Sequence, residues 1–207
     1  MSEIKLYRHP LSGHAHRAEV LLSLLGIDAE IIDVDLMKGE QKSPEFLTKN
    51  PLGQVPVLED GDITISDSNA IIYYLASKYD PDRSWLPSNP EKAAAVQSYL
   101  TIAAGALAFG PASARLVTLF GAGLDHDNAI ALAHSLLQRL DSDLSSRPWL
   151  AGVHPTLADV ANYAYIAVAP EGNVSLDDYP NVRAWLQRFE KLPGFVPMQA
   201  TAVGLAA

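Results

Sequence analysis

The 207-residue chain contains no cysteine. This absence excludes disulfide bridges, thiolate-rich metal sites and a protein thiol as nucleophile. Positive charge is also scarce, since 15 Lys and Arg residues stand against 24 Asp and Glu residues and give a net charge of −9. A nucleic-acid partner is therefore not expected, because nucleic-acid binding is dominated by the neutralisation of phosphates.

Long apolar runs and a leader segment are missing as well. No apolar run approaches the roughly 20 residues that a membrane span needs. The N-terminal MSEIKLY lacks the basic-then-apolar order of a signal peptide. With 48% hydrophobic and 19% charged residues, the composition is typical of a soluble globular protein. We therefore expect a cytoplasmic protein without a membrane partner.

Residues 1–80 alternate strand and helix patterns in the order β-α-β-α-β-β-α, which predicts a small α/β domain with parallel and antiparallel pairing. Gly26 is placed like a glycine that ends a helix. Asp60-Gly61 between two apolar runs predicts a hairpin. The predicted strands cover 4–7 and 29–34 and flank the hairpin turn, and the predicted helices cover 18–25, 44–49 and 68–78.

Residues 81–90 belong to a proline-rich stretch that is typical of a linker, and residues 91–207 show helical apolar spacing without strand patterns. The second half is therefore predicted to be all-helical. Its segment Thr156-Leu157-Ala158-Asp159 resembles a capping box with Asp in place of the usual Glu or Gln, so a structural role is expected for Thr156 and Asp159. The predicted helices cover 93–107, 129–144, 157–168 and 182–192.

Two features of the first half suggest a site for a small anionic peptide. Pro56 interrupts a strand pattern, and a proline there belongs on an edge or at a bulge because it cannot donate a ladder hydrogen bond. An edge strand can accept an extended peptide as an added strand. Asp67 and Ser68 stand where a helix begins, and side-chain oxygens there usually cap the helix. The same helix N-terminus also holds carboxylates well, so both interpretations are open on the residues alone.

The segment LYRHPLSGHAHR, residues 6–17, gathers histidines, arginines, a serine and a tyrosine on a strand-to-helix turn. A metal site is not expected, because the spacing of His9, His14 and His16 matches no common zinc pattern. A reactive hydroxyl and an ordinary loop are the remaining interpretations.

Three segments resemble the cytosolic glutathione transferase family. Residues 39–79, GEQKSPEFLTKNPLGQVPVLEDGDITISDSNAIIYYLASKY, are similar to its thioredoxin-like domain. Residues 149–163, WLAGVHPTLADVANY, and 179–195, YPNVRAWLQRFEKLPGF, are similar to its helical domain. The likeness covers essentially the whole chain. It implies a thioredoxin-like domain over 1–80 followed by an all-helical one over 91–207, glutathione as co-substrate, no tightly bound cofactor, and a homodimer.

The resemblance also implies roles for single residues. Pro56 would be the family's cis-proline, and the backbone N–H and C=O of Val55 would bind the cysteinyl part of glutathione. Asp67 and Ser68 would hold the γ-glutamyl group, where the family more often has Glu-Ser. Lys42 and Gln54 match positions that, in the plant-type phi class, contact the glycine end or the backbone of the peptide. Gln41 stands where that class often has histidine.

The serine of PLSGHAHR resembles a phi-class pattern in which a serine two positions after a proline steadies the glutathione thiolate. Ser12 is therefore the predicted catalytic residue. Tyr7 is the rival, because tyrosine-type classes carry their hydroxyl near the end of the first strand. The other interpretation of Tyr7 is a half-buried strand residue.

An electrophile pocket is expected between the domains, with Leu11, His14, Phe109 and Tyr165 as candidate lining residues. The implied reaction is attack of the glutathione thiolate on a small hydrophobic electrophile. A glutathione-dependent peroxidase or disulfide reductase using the same site is one alternative. A non-catalytic member that binds ligands or proteins is another, although such a protein needs neither Ser12 nor the Asp67-Ser68 pair.

Overall fold

The computed structural model describes residues 4–207. They form two compact units. The first comprises the described residues up to Pro81 together with Pro193–Gln199, and the second comprises Asp82–Leu192 and Ala200–Ala207. The first unit has a small mixed sheet with helices and the second is mostly helical, so the predicted fold class is confirmed.

A four-stranded sheet in the order β2-β1-β3-β4 organises the first unit. Strand β1 (Ile4–Arg8) pairs in parallel with β2 (Glu30–Asp33) and antiparallel with β3 (Val57–Asp60). Strand β3 forms a hairpin with β4 (Ile63–Ile65) through Gly61, whose φ of 59° is left-handed. The predicted combination of parallel and antiparallel pairing is confirmed.

Three α-helices belong to this unit: α1 (Gly13–Leu24), α2 (Pro44–Lys49) and α3 (Ser68–Tyr79). Helix α1 begins well before its predicted start at position 18, because Ser12 caps it from the preceding turn. It ends just before Gly26, which has the left-handed φ of 67° expected of a terminating glycine. The core between sheet and helices contains the fully buried side chains Leu6, Leu21, Leu58, Ile71, Ile72 and Leu75.

Pro56 does not lie on an edge strand, and that prediction is wrong. Strand β3 begins one residue later and lies between β1 and β4, so it is an interior strand. Pro56 precedes the ladder, where its missing N–H costs no hydrogen bond. Strand β4 ends at Ile65, opposite Leu58, so no strand neighbours Val55 on that side. The Val55–Pro56 peptide bond is cis, as predicted.

Five α-helices lie in the described part of the second unit, one more than the sequence predicts. The missed helix is α5 (Ser113–Phe120), which follows Gly110 and Pro111, two residue types that usually interrupt helices. Gly110 permits a close helix approach, because a Cβ there would lie 2.8 Å from the backbone nitrogen of Ala133. The other helices are α4 (Pro90–Ala104), α6 (His126–Leu144), α7 (Leu157–Ala167) and α8 (Pro180–Phe189).

The predicted capping box stands at the start of α7. The N–H of Thr156 donates to Asp159 Oδ2 at 2.9 Å, and Thr156 Oγ1 accepts from the N–H of Ala158 at 3.2 Å. The other carboxylate oxygen accepts from the N–H of Leu150 and from Trp185 Nε1, each at 2.9 Å. Burial raises the pKa of Asp159 to about 6, although these hydrogen bonds lower it. The carboxylate therefore joins three segments of the second unit, which is a structural role.

The segment Pro90–Phe120 is long and apolar enough to cross a membrane by length and composition alone. The expectation that no apolar segment is long enough for a membrane span is therefore wrong by this criterion. Core helices of soluble proteins pass the same test, and this segment is interrupted at Gly105, where α4 ends. The segment therefore assigns no membrane location.

Candidate functional site

The loop that leads into β3 presents an unpaired backbone segment. Asn50, which is 1% exposed, holds the loop: its Nδ2 donates to the C=O of Gln54 at 2.8 Å and its Oδ1 accepts from the N–H of Leu52 at 3.0 Å. No hydrogen bond within residues 4–207 involves the N–H or C=O of Val55. A fixed backbone donor and acceptor without partners can pair with an extended peptide. Strand addition beside Val55 therefore stays a prediction, and its place moves from an edge strand to a loop just ahead of an interior strand.

The N-terminus of α3 carries the predicted Asp67-Ser68 pair. Asp67 Oδ1 accepts from the N–H of Ala70 at 2.8 Å, so the aspartate does cap the helix. Ser68 is 6% exposed, and its Oγ accepts from Nη1 of Arg17 at 2.8 Å. The cap satisfies one amide of the first helical turn, and the helix dipole favours negative charge at this end. Capping and the binding of a carboxylate are therefore compatible here.

Arg17 of α1 is the participant that sequence reasoning missed, since the sequence by itself indicates only packing or an ion pair for it. The side chain is 2% exposed, and its Nη1 donates both to Ser68 Oγ and to Asn69 Oδ1, each at 2.8 Å. A buried guanidinium thus lies against the N-terminus of α3 and connects it to α1. A buried arginine whose acceptors are a serine and an asparagine gives no local sequence signal, because arginine on a helix is mostly exposed.

Ser12 occupies the N-cap position of α1. Its Oγ accepts from the N–H of Ala15 at 3.2 Å. A hydroxyl has one donor and two acceptor sites, so this capping bond leaves the hydroxyl proton available for a second partner. The N-terminus of α1 also adds a positive dipole end, which stabilises a nearby anion. The residue can therefore cap the helix and donate to a thiolate at the same time.

Tyr7 is engaged in the sheet. Its hydroxyl donates to Glu59 Oε2 at 2.9 Å, and Lys49 Nζ lies 4.9 Å from the centroid of its ring. Lys49 also pairs with Glu59. Burial, together with the hydrogen bond to Glu59, raises the pKa of Tyr7. The hydroxyl thus joins β1 to β3, which favours its interpretation as a strand residue over that of a thiolate donor.

Lys42 and Gln54 flank the loop that contains Val55. Lys42 Nζ donates to the C=O of Leu52 at 2.9 Å. Gly53 makes this approach possible, because a Cβ at its left-handed φ of 58° would lie 2.7 Å from the ammonium nitrogen. Lys42 and Gln54 are both exposed, so an added peptide has access to them.

The four residues predicted to line an electrophile pocket belong to two different units. In the first unit, Leu11 and His14 are partly buried, and His14 Nδ1 lies 3.5 Å from Ser68 Oγ. Burial and a nearby guanidinium lower the pKa of His14 to about 4, so its imidazole is neutral at pH 7. In the second unit, Phe109 is 67% exposed and Tyr165 is 7% exposed. The assembly of these side chains into one pocket stays a prediction.

The other histidines of the opening segment make separate contacts. His9 Nδ1 accepts from the N–H of Leu11 at 3.3 Å, and His16 Nε2 lies 2.8 Å from the C=O of Val196. In the part of the chain that the structure describes, no three His, Asp or Glu side chains are grouped so that they could hold a metal ion.

Comparison with known proteins gives consistent matches over both units. The family model described as "Glutathione S-transferase, N-terminal domain" matches residues 2–77, and "Glutathione S-transferase, C-terminal domain" matches residues 125–193. Glutathione S-transferase 3 of Zea mays is 34% identical over 94% of this chain and 92% of its own length. A glutathione S-transferase structure from Pseudomonas fluorescens has a TM-score of 0.89 at 33% identity and covers 96% of this chain and 100% of its own. A glutathione transferase homologue from Drosophila mojavensis, solved with bound glutathione, has a TM-score of 0.84 at 31% identity and covers 93% of this chain and 90% of its own.

Proposed function

The chain belongs to the glutathione S-transferase family, and from this membership we propose that it catalyses attack of the glutathione thiolate on small hydrophobic electrophiles. One observation carries the proposal. The first unit combines a fixed, unpaired backbone at Val55, the N-terminus of α3 at Asp67 and Ser68, and a hydroxyl with an available proton at Ser12.

Glutathione fits this arrangement as an extended peptide with a charged group at each end. The cysteinyl unit pairs with the N–H and C=O of Val55 as an added strand. The γ-glutamyl carboxylate binds at the first-turn amides of α3 and the hydroxyl of Ser68. The glycine carboxylate has the exposed ammonium of Lys42 and the side chain of Gln54 within the same loop region. A relative solved with glutathione supports this substrate.

The proposed effect of Ser12 on the reaction rate, through the pKa of the glutathione thiol, is modest. A free thiol with a pKa of about 8.5 is only a few per cent ionised at pH 7. Lowering the pKa by roughly two units raises the thiolate fraction about 25-fold, but the weaker base loses around 8-fold in nucleophilicity for a Brønsted slope near 0.45. Ionisation therefore raises the reaction rate at pH 7 only a few-fold. Holding the thiolate against the electrophile must supply most of the acceleration. The electrophile is bound by apolar side chains, for which Leu11, His14, Phe109 and Tyr165 stay the candidates.

The remaining parts of the proposal rest on family membership and composition. A homodimer is the assembly that the family resemblance implies. We also propose a cytoplasmic location and, because the net charge is −9, no nucleic-acid partner. Each stays a prediction, to be checked by sedimentation, by fractionation of the host cell and by a nucleic-acid binding assay.

The experiment that tests the proposal is a steady-state assay of glutathione with three substrates: an aryl halide, an organic hydroperoxide and a mixed disulfide. Conjugation of the aryl halide with a larger kcat/KM than either other reaction is the expected result. Faster turnover of the hydroperoxide or disulfide would instead make the protein a peroxidase or reductase. Tight binding of glutathione without turnover of any substrate would contradict catalysis and make it a binding protein.

A further inference from the structure

The buried guanidinium beneath α3 is the feature that the proposed reaction leaves without a role. Arg17 comes from the helix that Ser12 caps, yet two of its hydrogen bonds reach the first residues of α3. These are the oxygens of Ser68 and Asn69, 51 and 52 positions further along the chain. A full positive charge is thereby held at the helix N-terminus from the protein side.

We propose that Arg17 is a positioning residue for the γ-glutamyl end of glutathione, and that it acts through the Ser68 hydroxyl without touching the ligand. This inference rests on the proposed function and names a further determinant of that site. The whole Arg17 residue is only 2% exposed, so we expect a bound peptide to contact Ser68 and not Arg17.

The physical reason lies in the hydroxyl of Ser68. A serine hydroxyl has one proton and two lone pairs, and the hydrogen bond from Arg17 occupies one lone pair. The proton is thereby directed away from the guanidinium, and His14 Nδ1, at 3.5 Å, is a distant alternative acceptor. An arriving carboxylate is the stronger acceptor. The positive charge behind the hydroxyl also polarises its O–H bond, and burial strengthens that effect.

A purely structural role is the competing explanation, because the same two bonds join α1 to α3. Such a role predicts that every peptide ligand is weakened equally when Arg17 is replaced. A positioning role predicts that only a ligand with the glutamyl α-carboxylate is affected. The two explanations are separated by measuring selectivity in addition to affinity.

The experiment compares glutathione with 4-aminobutyryl-Cys-Gly, which lacks only that carboxylate, by titration calorimetry. Arg17→Met keeps the apolar stem and removes the charge. We expect it to weaken glutathione binding about 10-fold or more, as for a lost hydrogen bond to a charged group, and to change analogue binding by less than about 2-fold. Arg17→Lys keeps a charge and should lose less, and it carries the same test if Arg17→Met does not fold.

Two further variants show whether the effect passes through the serine. In a Ser68→Ala background, the additional loss caused by Arg17→Met should shrink to about 2-fold or less, because coupled residues are not additive. Arg8→Met is the matched control: Arg8 pairs with Glu19 of α1 at 2.6 Å, and within residues 4–207 its side chain makes no hydrogen bond or ion pair with α3. It should lower the melting temperature without changing the preference for glutathione over the analogue.

Equal weakening of both ligands by Arg17→Met would overturn the inference and leave Arg17 a structural residue. An undiminished loss in the Ser68→Ala background would overturn the proposed route through the hydroxyl. A wild-type protein that does not bind glutathione at all would overturn the proposed function itself, and this inference with it.

Discussion

Replacing Ser12 with alanine removes two interactions. The first is the proposed hydrogen bond to the glutathione thiolate. The second is the N-cap bond from the N–H of Ala15, which the structure shows at 3.2 Å. Loss of the cap should cost about 0.5–2 kcal/mol of stability, so the two effects need separate measurements.

The effect on the thiol follows from the strength of the lost bond. A hydrogen bond to a charged acceptor is worth about 1.5–3 kcal/mol, so the variant should raise the pKa of the bound thiol by roughly one to two units. For a wild-type pKa roughly two units below the free value, about three quarters of the thiol is ionised at pH 7, and a rise of 1.5 units leaves about a tenth. The more basic thiolate regains roughly 5-fold in nucleophilicity. The chemical step should therefore slow only about 2-fold at pH 7, and the deficit should be gone by about pH 7.5.

The assay is the ultraviolet absorbance of the thiolate of bound glutathione, followed against pH, beside the pH profile of kcat/KM. Ser43→Ala is the matched control, because Ser43 caps α2 by accepting from the N–H of Phe46 at 3.1 Å. It should lose similar stability and leave the thiol titration unchanged. Ser12→Thr keeps a hydroxyl and should titrate close to wild type.

Tyr7→Phe decides between the two hydroxyls. The Tyr7 hydroxyl already donates to Glu59, so this variant should leave the pKa of the bound thiol nearly unchanged. The reasoning is refuted by a titration that shifts in Tyr7→Phe and not in Ser12→Ala. In that event the protein belongs with the tyrosine-type classes.

Three further predictions follow from other groups of the first unit. Asp67→Ala combined with Ser68→Ala should weaken glutathione binding by about 2 kcal/mol or more; unchanged affinity in a folded double variant would leave the pair with helix capping alone. The pKa of His14, about 4 in the folded protein, lies below its ordinary value of about 6.5, so the unfolded chain binds the proton more readily and stability should be lost as the pH falls from about 6.5 to 4. His14→Gln should flatten that part of the stability curve in urea unfolding, and an unchanged slope would contradict the shift. Asp60→Asn should destabilise the unit by roughly 1–3 kcal/mol, because one buried oxygen accepts from two tyrosines and a lysine of α3; calorimetry with glutathione should show affinity unchanged, and equal melting temperatures would contradict the estimate.

Local features of the site could be predicted from the sequence because their causes are local. The hairpin at Gly61 needs a left-handed residue between two apolar runs. Asp67 caps α3 by accepting from the N–H of Ala70, three residues along the chain. Ser12 was identified by its place after a proline, although its capping role moved the start of α1 forward to Gly13. The assignment of the whole chain came from segments that resemble one family in both halves.

The tertiary structure decided which strands pair within the sheet and which helices approach each other closely. Pro56 looked like an edge residue because a strand pattern does not reveal which strands flank it, and β4 covers β3 in the folded sheet. Helix α5 was missed because Gly110, which reads as an interruption, is used for a close approach to another helix.

The two contacts that discriminate between roles at the site have the same origin. Tyr7 meets Glu59 across 52 positions of sequence, and Arg17 meets Ser68 across 51. Apolar periodicity and capping patterns report only on neighbours within a few turns, whereas these bonds depend on which strand pairs with which and which helix packs beside α1. The sequence by itself therefore determined which reactive groups are available to the site. The fold decided that the Tyr7 hydroxyl is engaged by Glu59 while that of Ser12 can donate, and that the buried charge of Arg17 lies against Ser68.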